Sequence, residues 1–368
     1  MTIGELTKYL EDWAPPGVSW DRDNVGLQIG SRRKRLKNIM LCLELNQEAL
    51  SEALKKKCNF IFTHHPLIFN PIKKLDTQND SQAKLLETII KKDITVYSAH
   101  TNLDFTKDGV SFELAKVLKL KNIRFLEPAE NTLLKIAVFI PKNILDKVAE
   151  AVFSAGSGII GEYTKCSFSN DGVGTFFGSE KSNPLVGKKL NFEKVDETRL
   201  EFIVDSWNLR KVISAIKSSH PYEEPAYDIY PLKNENVNYG AGAVGELEKA
   251  LSENEFLDRT RKYLKTNLLR YTNGKKNKIK KVAVCGGSGI DLLNKAINTG
   301  ADAFITADIK YHSFQDAYKK ILLIDAGHYE TEIPVLNVVK SKIEKQIPKK
   351  DRIKVFKYSG TTNPVKVL

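Results

Sequence analysis

Short apolar runs alternate with segments of helical periodicity at both ends of the chain. The strand-like runs lie at residues 39–45, 60–63, 95–99, 280–285, 303–306 and 321–324. The segments with apolar residues every three to four positions lie near 47–57, 82–91, 110–118, 291–298, 314–319 and from 331 onward. This alternation of strand and helix predicts an α/β fold with helices on both faces of a sheet.

The middle of the chain follows a different pattern, in which strand-like runs are separated by Gly-rich turns. Strands are predicted at 135–140, 158–168, 171–177 and 200–204, and helices near 144–154 and 209–217. This order is typical of a ferredoxin-like α+β unit. We therefore predict a core α/β domain whose halves are residues 1–128 and 234–368, with an inserted domain at 129–233.

The composition is that of an ordinary globular protein. The chain has 368 residues, of which 42% are hydrophobic and 28% charged. Its start has no basic leader followed by an apolar block, and no apolar run is long enough to span a bilayer. The four cysteines are scattered, which favours reduced thiols over a disulfide framework. We expect a cytoplasmic protein without a membrane partner.

The chain carries a formal net charge of +12. The excess lysines are spread along the sequence, as expected for solvated helix faces and loops. The same charge could attract an anionic small ligand or nucleic acid. No helix-turn-helix or RNP-like pattern accompanies it, so nucleic acid is an unlikely partner.

The stretch FIFTHHPLIF ends an apolar run with two adjacent histidines, His64 and His65. His100, His312 and His328 also follow strand-like runs, so five of the six histidines lie at or just beyond predicted strand ends. Open α/β sheets bind ligands beyond the carboxyl ends of their strands. These histidines are therefore expected on one rim of the sheet.

The spacing of acidic residues around these histidines predicts a metal site. His328 and Glu332 would lie one turn apart on a helix, and Asp104 follows His100 by four residues. Adjacent histidines hardly ligate one tetrahedral ion, but each can bind one ion of a pair roughly 3.5–4 Å apart. A nitrogen and oxygen ligand set suits zinc, iron or manganese. The alternative is that these histidines are hydrogen-bonded core residues. The predicted ligands are His64, His65, Asp104, His328 and Glu332.

Two further segments allow more than one interpretation. The turn CGGSGID contains Gly286, Gly287 and Ser288, whose N–H groups could hold a phosphate, although a simple tight turn explains it equally well. The segment HPYEEPAYDIY contains His220 and two glutamates between prolines, and we interpret it as a structural loop.

Several of these segments together resemble a known protein family. They are NVGLQIG (24–30), THHPLIF (63–69), SAHTNLD (98–104), CGGSG (285–289), TADIKYH (306–312) and GHYETE (327–332). In this order they resemble the GTP cyclohydrolase 1 type 2 homologs in their long bacterial form. The middle of the chain is similar to the insertion of those long members, a unit like PII and CutA proteins.

The resemblance implies a centre of two divalent metal ions in each subunit, held by the five residues given above. It implies that His100, Lys310 and His312 line the pocket. It also implies a toroidal homohexamer whose inserted domains partly cover the openings of the ring. The family usually has an aspartate in the segment equivalent to CLELNQEAL, where this chain has Glu44, Leu45 and Asn46, and an arginine is common at the position of Ala243. Neither position is a predicted ligand, so these departures bear on the substrate contacts that the resemblance implies and not on the metal.

These observations lead to two main hypotheses of function. The first is a metal-dependent hydrolase, like a GTP cyclohydrolase, that acts on a nucleotide or another anionic small molecule. His100 or His312 would carry protons, and Lys310 with the turn at Gly286, Gly287 and Ser288 would hold phosphate. The second is a metal-containing oligomeric protein that binds and senses a ligand without turnover.

Overall fold

The structure is a computed structural model and describes residues 1–366. The chain divides into two compact units. The core unit comprises Met1–Glu127 and the chain from Tyr239 onward, and the inserted unit comprises Pro128–Asn238. The architecture is mixed α/β with several sheets, which confirms the predicted combination of strands and helices.

The strands are β1 (Gly26–Ile29), β2 (Asn38–Cys42), β3 (Cys58–Thr63), β4 (Thr95–Ser98), β5 (Lys121–Ala129), β6 (Leu133–Pro141), β7 (Ser167–Phe177), β8 (Phe192–Asp205), β9 (Tyr227–Pro231), β10 (Asn236–Ser252), β11 (Arg270–Thr272), β12 (Lys278–Val284), β13 (Ala303–Thr306), β14 (Leu322–Asp325) and β15 (Val355–Lys357). The α-helices are α1 (Ile3–Trp13), α2 (Gln47–Lys55), α3 (Ser81–Lys91), α4 (Thr101–Asp104), α5 (Val110–Val117), α6 (Leu145–Ser154), α7 (Leu209–Ser219), α8 (Glu253–Leu264), α9 (Leu293–Asn298), α10 (Tyr311–Ala317), α11 (His328–Glu332) and α12 (Val335–Gln346). Across residues 1–366, none of these helices has the length and hydrophobicity needed to cross a bilayer.

The core unit contains two sheets, where the alternation of strands and helices predicted one. The first sheet has the order β1-β4-β3-β2-β15, and the second has the order β11-β14-β13-β12-β10-β5. The neighbours β2, β3 and β4 are parallel, as are β12, β13 and β14. Each parallel set therefore presents its carboxyl ends at one edge, where the connecting loops can assemble a site.

Both faces of the first sheet are covered by helices. Phe60 and Phe62 of β3 pack on one face with helices α1 and α12, whereas Ile61 packs on the other face with α2 and α3. Successive side chains of a strand point to opposite faces, so a strand buried on both sides is continuously apolar. This explains why the run before His64 has no polar alternation.

The inserted unit follows the order β6-α6-β7-β8-α7-β9, and its antiparallel sheet has the order β7-β8-β6-β9. The helices α6 and α7 cover one face through Val148, Val152 and Ile216, which pack on Val138 and Phe202. The strand predicted at 158–168 is wrong over most of its length. Gly158, Gly161 and Lys165 have positive φ, which a strand cannot accommodate, so β7 begins only at Ser167.

Tyr97 in β4 is fully buried between Phe60 and Phe62, with ring centroids 6.4 Å and 6.3 Å away. Its hydroxyl has no hydrogen-bond partner among the described residues. A buried hydroxyl without a partner costs about 1–3 kcal/mol. We therefore expect Tyr97→Phe to leave the free energy of unfolding unchanged or to raise it by about 1 kcal/mol.

The measurement is denaturant unfolding of the wild type and Tyr97→Phe, with Tyr97→Leu as the matched control. The leucine variant removes the ring and should lower the free energy of unfolding by about 1–3 kcal/mol. A similar loss in Tyr97→Phe would show that the hydroxyl is bonded and stabilising.

Candidate metal centre

Two backbone hydrogen bonds explain why His64 and His65 face the same cavity. The N–H groups of His64 and His65 both donate to the carbonyl of Leu43, each at 3.0 Å. The chain therefore turns immediately after β3, and the strand alternation that would separate the two side chains ends. The two imidazole centroids lie 4.8 Å apart.

The other polar groups arrive from neighbouring strand ends. His100 follows β4, and the short helix α4 places Asp104 one turn later. His328 begins α11 and Glu332 ends it, directly after β14 of the second sheet. His65 lies 5.3 Å from the ring of His100 and 5.4 Å from that of His328. The carboxyl edges of the two sheets thus contribute to one cluster.

Each of the four imidazoles is fixed by a hydrogen bond through its Nδ1 atom. The acceptors are Ala99 O for His64 (2.8 Å), Glu44 Oε1 for His65 (2.8 Å), Asp23 Oδ1 for His100 (3.0 Å) and Asp308 Oδ2 for His328 (2.7 Å). A carbonyl or ionised carboxylate only accepts, so each Nδ1 carries the proton. A neutral ring then has its lone pair on Nε2, as in histidines that bind metals.

The Nε2 atoms converge on acidic oxygens. His64 Nε2 lies 3.6 Å from both Asp104 Oδ1 and Glu332 Oε1. His65 Nε2 lies 3.2 Å from Glu332 Oε2, and His328 Nε2 lies 3.0 Å from Glu332 Oε1. With neutral rings, every one of these atoms is an acceptor, so the arrangement requires positive charge at its centre.

Three atoms of this cluster are buried without a hydrogen-bond partner among the described residues: His64 Nε2, Asp104 Oδ1 and Glu332 Oε2. Leaving such groups unpaired is costly, and a cation is the partner that satisfies imidazole and carboxylate together. The donor set therefore fits a divalent metal that accepts nitrogen and oxygen ligands.

The cluster contains two overlapping triads in which one ligand atom per residue lies within 4.8 Å of the others. One comprises His64, His65 and His100, and the other comprises His65, His328 and Glu332. The structure thus brings all five predicted ligands into one region. It adds His100, which the sequence analysis placed in the pocket as a proton carrier.

The pKa shifts show how strongly the cluster favours positive charge. Burial alone would raise the pKa of Glu332, but His64, His328 and His65 outweigh burial and hold it well below the usual value. Burial opposes protonation of His65, yet Glu332 and Glu44 raise its pKa to about 10. Burial raises the pKa of Asp104, and Glu332 adds to that shift.

The sequence analysis did not identify the residues that hold these rings. Asp23, Glu44 and Asp308 each accept from an imidazole Nδ1, and Glu44 also accepts from the Thr362 hydroxyl. Glu44 therefore holds an imidazole of this cluster, whereas the sequence analysis connected the departure from the family pattern in this segment only with substrate contacts. For Asp308 the sequence did contain an indication. This carboxylate directly follows a predicted strand end in the segment TADIKYH, as the predicted metal ligands follow theirs.

Gly287, which was predicted to contact a phosphate, has a structural role beside the Glu332 carboxylate. A Cβ atom at this position would lie 2.3 Å from Glu332 Oε1 and 3.3 Å from His328 Nε2, and φ is +63°. Only glycine combines this backbone conformation with such a close approach. The glycine therefore leaves room for the Glu332 carboxylate.

The remaining predicted site residues lie outside the histidine cluster. Lys310 and His312 are exposed, and the described contact of the His312 ring is with Tyr311. The N–H groups of Gly286 and Gly287 donate to the hydroxyls of Ser111 and Thr331, so they are already used within the protein. Ser288 is exposed. Proton transfer by His312 and phosphate binding by Lys310 and this turn stay predictions.

Comparisons with known proteins agree over almost the whole chain. Residues 1–364 match the profile of the family described as Duf34/NIF3 (NGG1p interacting factor 3). A Halalkalibacterium halodurans protein named GTP cyclohydrolase 1 type 2 homolog is 38% identical over 362 residues, which cover 98% of this chain and 97% of that protein. A Bacillus subtilis protein of the same name is 36% identical with the same coverage. The crystal structure of a Bacillus cereus protein related to NIF3 superposes with a TM-score of 0.84 at 34% identity, covering 100% of this chain and 99% of the other.

The close approach of Gly287 to Glu332 leads to a test of the metal centre. Gly287→Ala should displace the Glu332 carboxylate and reduce the metal bound per chain at least about tenfold after refilling with zinc. Gly300→Ala is the matched control, because Gly300 also has a positive φ (+73°) but has open space around its Cβ position. Mass spectrometry of both variants gives the metal content, and thermal unfolding gives the cost of backbone strain. Equal metal content in the two variants would contradict the assigned role of Gly287.

The bond from Asp308 to His328 gives a second test. Asp308→Asn keeps the shape and tolerates the positive φ of +57° at this position, but weakens the hydrogen bond that orients His328. We expect the affinity for zinc to fall about 10-fold to 100-fold, measured by competition with a chromophoric chelator. Asp316→Asn on the exposed side of α10 is the control and should bind zinc as the wild type does.

Proposed function

The chain belongs to the DUF34/NIF3 family, and from this premise we propose that it is a dinuclear metal protein. We further propose that it acts as a metal-dependent hydrolase on a nucleotide-like or other anionic small molecule. The observation that supports this most directly is the set of four imidazoles fixed through Nδ1. Three of them, His64, His65 and His328, direct Nε2 at the buried Glu332 carboxylate. The relatives named GTP cyclohydrolase 1 type 2 homolog are consistent with a reaction on a purine nucleotide.

The two ions would be zinc, iron or manganese, and His64, His65, Asp104, His328 and Glu332 would hold them. His64 and His65 would each belong to a different ion, and Glu332 lies where it can contribute to both, because its two oxygens face different imidazoles. When bound, such a pair supplies an activated water at neutral pH and offsets the charge of an anionic substrate.

His100 is the residue best placed to move a proton. Its Nδ1–H donates to Asp23, which also accepts from the hydroxyl and the N–H of Thr101. Burial opposes the ionisation of Asp23, but His100 and Thr101 outweigh it and lower its pKa to about 2. Asp23 therefore stays anionic, fixes the tautomer of His100 and leaves Nε2 as the acceptor, which is the arrangement of a general base.

The substrate class follows from charge. A chain with a net charge of +12 attracts anions, and the acidic cluster itself needs cations before an anion can approach it. In this proposal Lys310 and Ser288 contact the phosphate of the substrate, and His312 is a second candidate for proton transfer.

A second candidate function is a non-catalytic, metal-containing sensor. It is favoured by a cavity of about 390 Å³ inside the inserted unit, which has the size of a small-molecule site. In this proposal the inserted unit is a PII/CutA-like ligand-binding domain, the chain assembles as a toroidal homohexamer, and ligand binding is its output.

Metal removal and mutation together distinguish the two functions. We expect the zinc-, iron- or manganese-refilled protein to hydrolyse at least one nucleotide in a screen that follows product by chromatography. Chelation should abolish the activity and added metal should restore it in the wild type. His65→Ala should lower turnover at least about 100-fold, because a catalytic ion loses a ligand, while circular dichroism stays that of a folded protein.

Two results would count against hydrolysis. Unchanged turnover in His65→Ala would place the reaction elsewhere. A screen that is negative for every nucleotide, in protein shown to contain about two ions per chain, would favour the sensor.

A further inference from the structure

The inserted unit contains a cavity that none of the metal-centre residues lines. It lies between the sheet and the loops at residues 182–186 and 222–226, and its volume is about 390 Å³. All of its lining residues belong to Pro128–Asn238. The cavity is therefore a feature of this unit alone, and its chemistry can be assessed separately from the metal centre.

The cavity lies on the face of the sheet that the helices leave uncovered. Leu200 and Phe202 of β8 point toward α6 and α7, so the alternate residues Val195 and Glu197 point the other way. The register places Val195 opposite Gly174 of β7 and Glu197 opposite Gly172. Two glycines on the edge strand thus leave space beside Glu197.

Glu197 is the central polar group of this cavity. Only 9% of the residue is exposed. Within residues 1–366 no cationic side chain forms an ion pair with its carboxylate, and the hydrogen-bonding group that it faces is the Tyr222 hydroxyl. The nearby Arg199 guanidinium is paired with Glu201 at 2.8 Å. A Cβ at Gly174 would lie 2.2 Å from Glu197 Oε2, so this glycine is what makes room for the carboxylate. A buried carboxylate without a cationic partner is costly, which indicates that its counter-charge comes from outside the chain.

A second polar group lines the same cavity. The buried Tyr222 hydroxyl has no hydrogen bond of normal geometry in the described part of the chain, and it faces the Glu197 carboxylate. Burial, and then the neighbouring Glu197 carboxylate, raise the pKa of Tyr222 to about 12, so it stays a hydroxyl that can donate or accept. Two polar groups therefore face the cavity with free hydrogen-bonding capacity.

The segment HPYEEP holds the cavity in shape. His220 Nε2 lies 2.9 Å from Phe139 O, and its Nδ1 accepts from the N–H of Tyr222 at 3.2 Å. Glu223 accepts from the N–H of Asn183 at 2.8 Å, which joins this segment to the loop on the opposite side. The segment thus has the structural role that we predicted for it, and it also forms a wall of a preformed site.

The charge of the cavity is opposite to that of the chain. Its lining includes the carboxylates of Glu197, Glu223 and Glu224 and no lysine or arginine, although the chain as a whole carries +12. Phe139 and Phe176 provide apolar and aromatic walls. Carboxylates bind cations, and aromatic faces add favourable contacts with organic ammonium and guanidinium groups.

We propose that this cavity binds an organic cation, a primary ammonium or guanidinium group on an apolar stem, with Glu197 as its ion-pair partner. A bare metal ion fits less well, because the described triads of metal-binding side chains are those of the core unit. A free amine and the side chain of a lysine or arginine in a peptide share the required chemistry. This binding site is independent of the proposed hydrolysis.

The test titrates the full-length protein with butylammonium, butylguanidinium and the uncharged 1-pentanol, followed by NMR chemical-shift changes. We expect at least one cation to bind about tenfold or more tightly than 1-pentanol. Glu197→Gln should weaken that binding about tenfold or more, since it keeps the shape and removes the charge. Gly174→Ala should also weaken it by displacing the carboxylate. Glu150→Gln, on the exposed surface of α6, makes the same charge change and should bind as the wild type does.

Further arms distinguish the source of the cation. Tight binding of an N-acetylated, C-amidated lysine would identify a peptide side chain as the ligand. If butylammonium binds and the capped lysine does not, the ligand is a free amine. Both results support the proposal. No binding of either cation, equal binding of 1-pentanol, or unchanged binding in Glu197→Gln would overturn it. Zinc or magnesium binding that Glu197→Gln abolishes, without binding of the organic cations, would also overturn it.

Discussion

The buried carboxylate of Glu332 is the group around which the core unit is organised. Its two oxygens face the Nε2 atoms of His64, His65 and His328, at 3.0–3.6 Å. Glu332 is brought there by the second sheet, and His64 and His65 by the first. Because a buried carboxylate needs positive charge, this one contact links the packing of the two sheets to the chemistry at their common edge. The turn at Gly287 is part of the same constraint, since the absence of a side chain there leaves space for the carboxylate.

The residues around Glu332 orient the imidazoles so that they can bind a ligand. Each imidazole is held from behind by an acceptor, and three of the four acceptors are carboxylates, Asp23, Glu44 and Asp308. Such outer acceptors fix the tautomer and the direction of each lone pair before any ligand arrives. Protons can supply the missing positive charge, as the raised pKa of His65 shows. A divalent cation supplies it while also satisfying the unpartnered atoms, which is why the same geometry suits catalysis and binding. The inserted unit has a comparable feature at Glu197, a buried carboxylate for which we propose an external organic cation as the partner.

Local sequence patterns predicted the parts of this structure that depend on short-range geometry. His328 and Glu332 are one turn apart because the helix period fixes their spacing, and the apolar run before His64 indicated a buried strand. Long-range contacts were not predictable in the same way. Asp23 meets His100 across 77 positions, and no local rule links them. The division of the core into two sheets depends on which strands pair, and the alternation of strands and helices is compatible with one sheet or two. The segment before β7 is irregular because Gly158 and Gly161 adopt positive φ. The strand propensity of the neighbouring residues does not indicate that conformation.

The central claim is that the Nε2 atoms and carboxylates of this cluster hold two neighbouring cations. The most direct measurement is an anomalous difference map from crystals of zinc-loaded protein, collected on both sides of the zinc absorption edge. The account predicts two peaks roughly 3.5–4 Å apart. It predicts that His64 Nε2 and His65 Nε2 each lie about 2.0–2.1 Å from a different peak, with Glu332 contacting both. A map without a peak at the cluster, or one whose only peaks lie away from Glu332, would contradict it and leave the histidines as a structural hydrogen-bonded network.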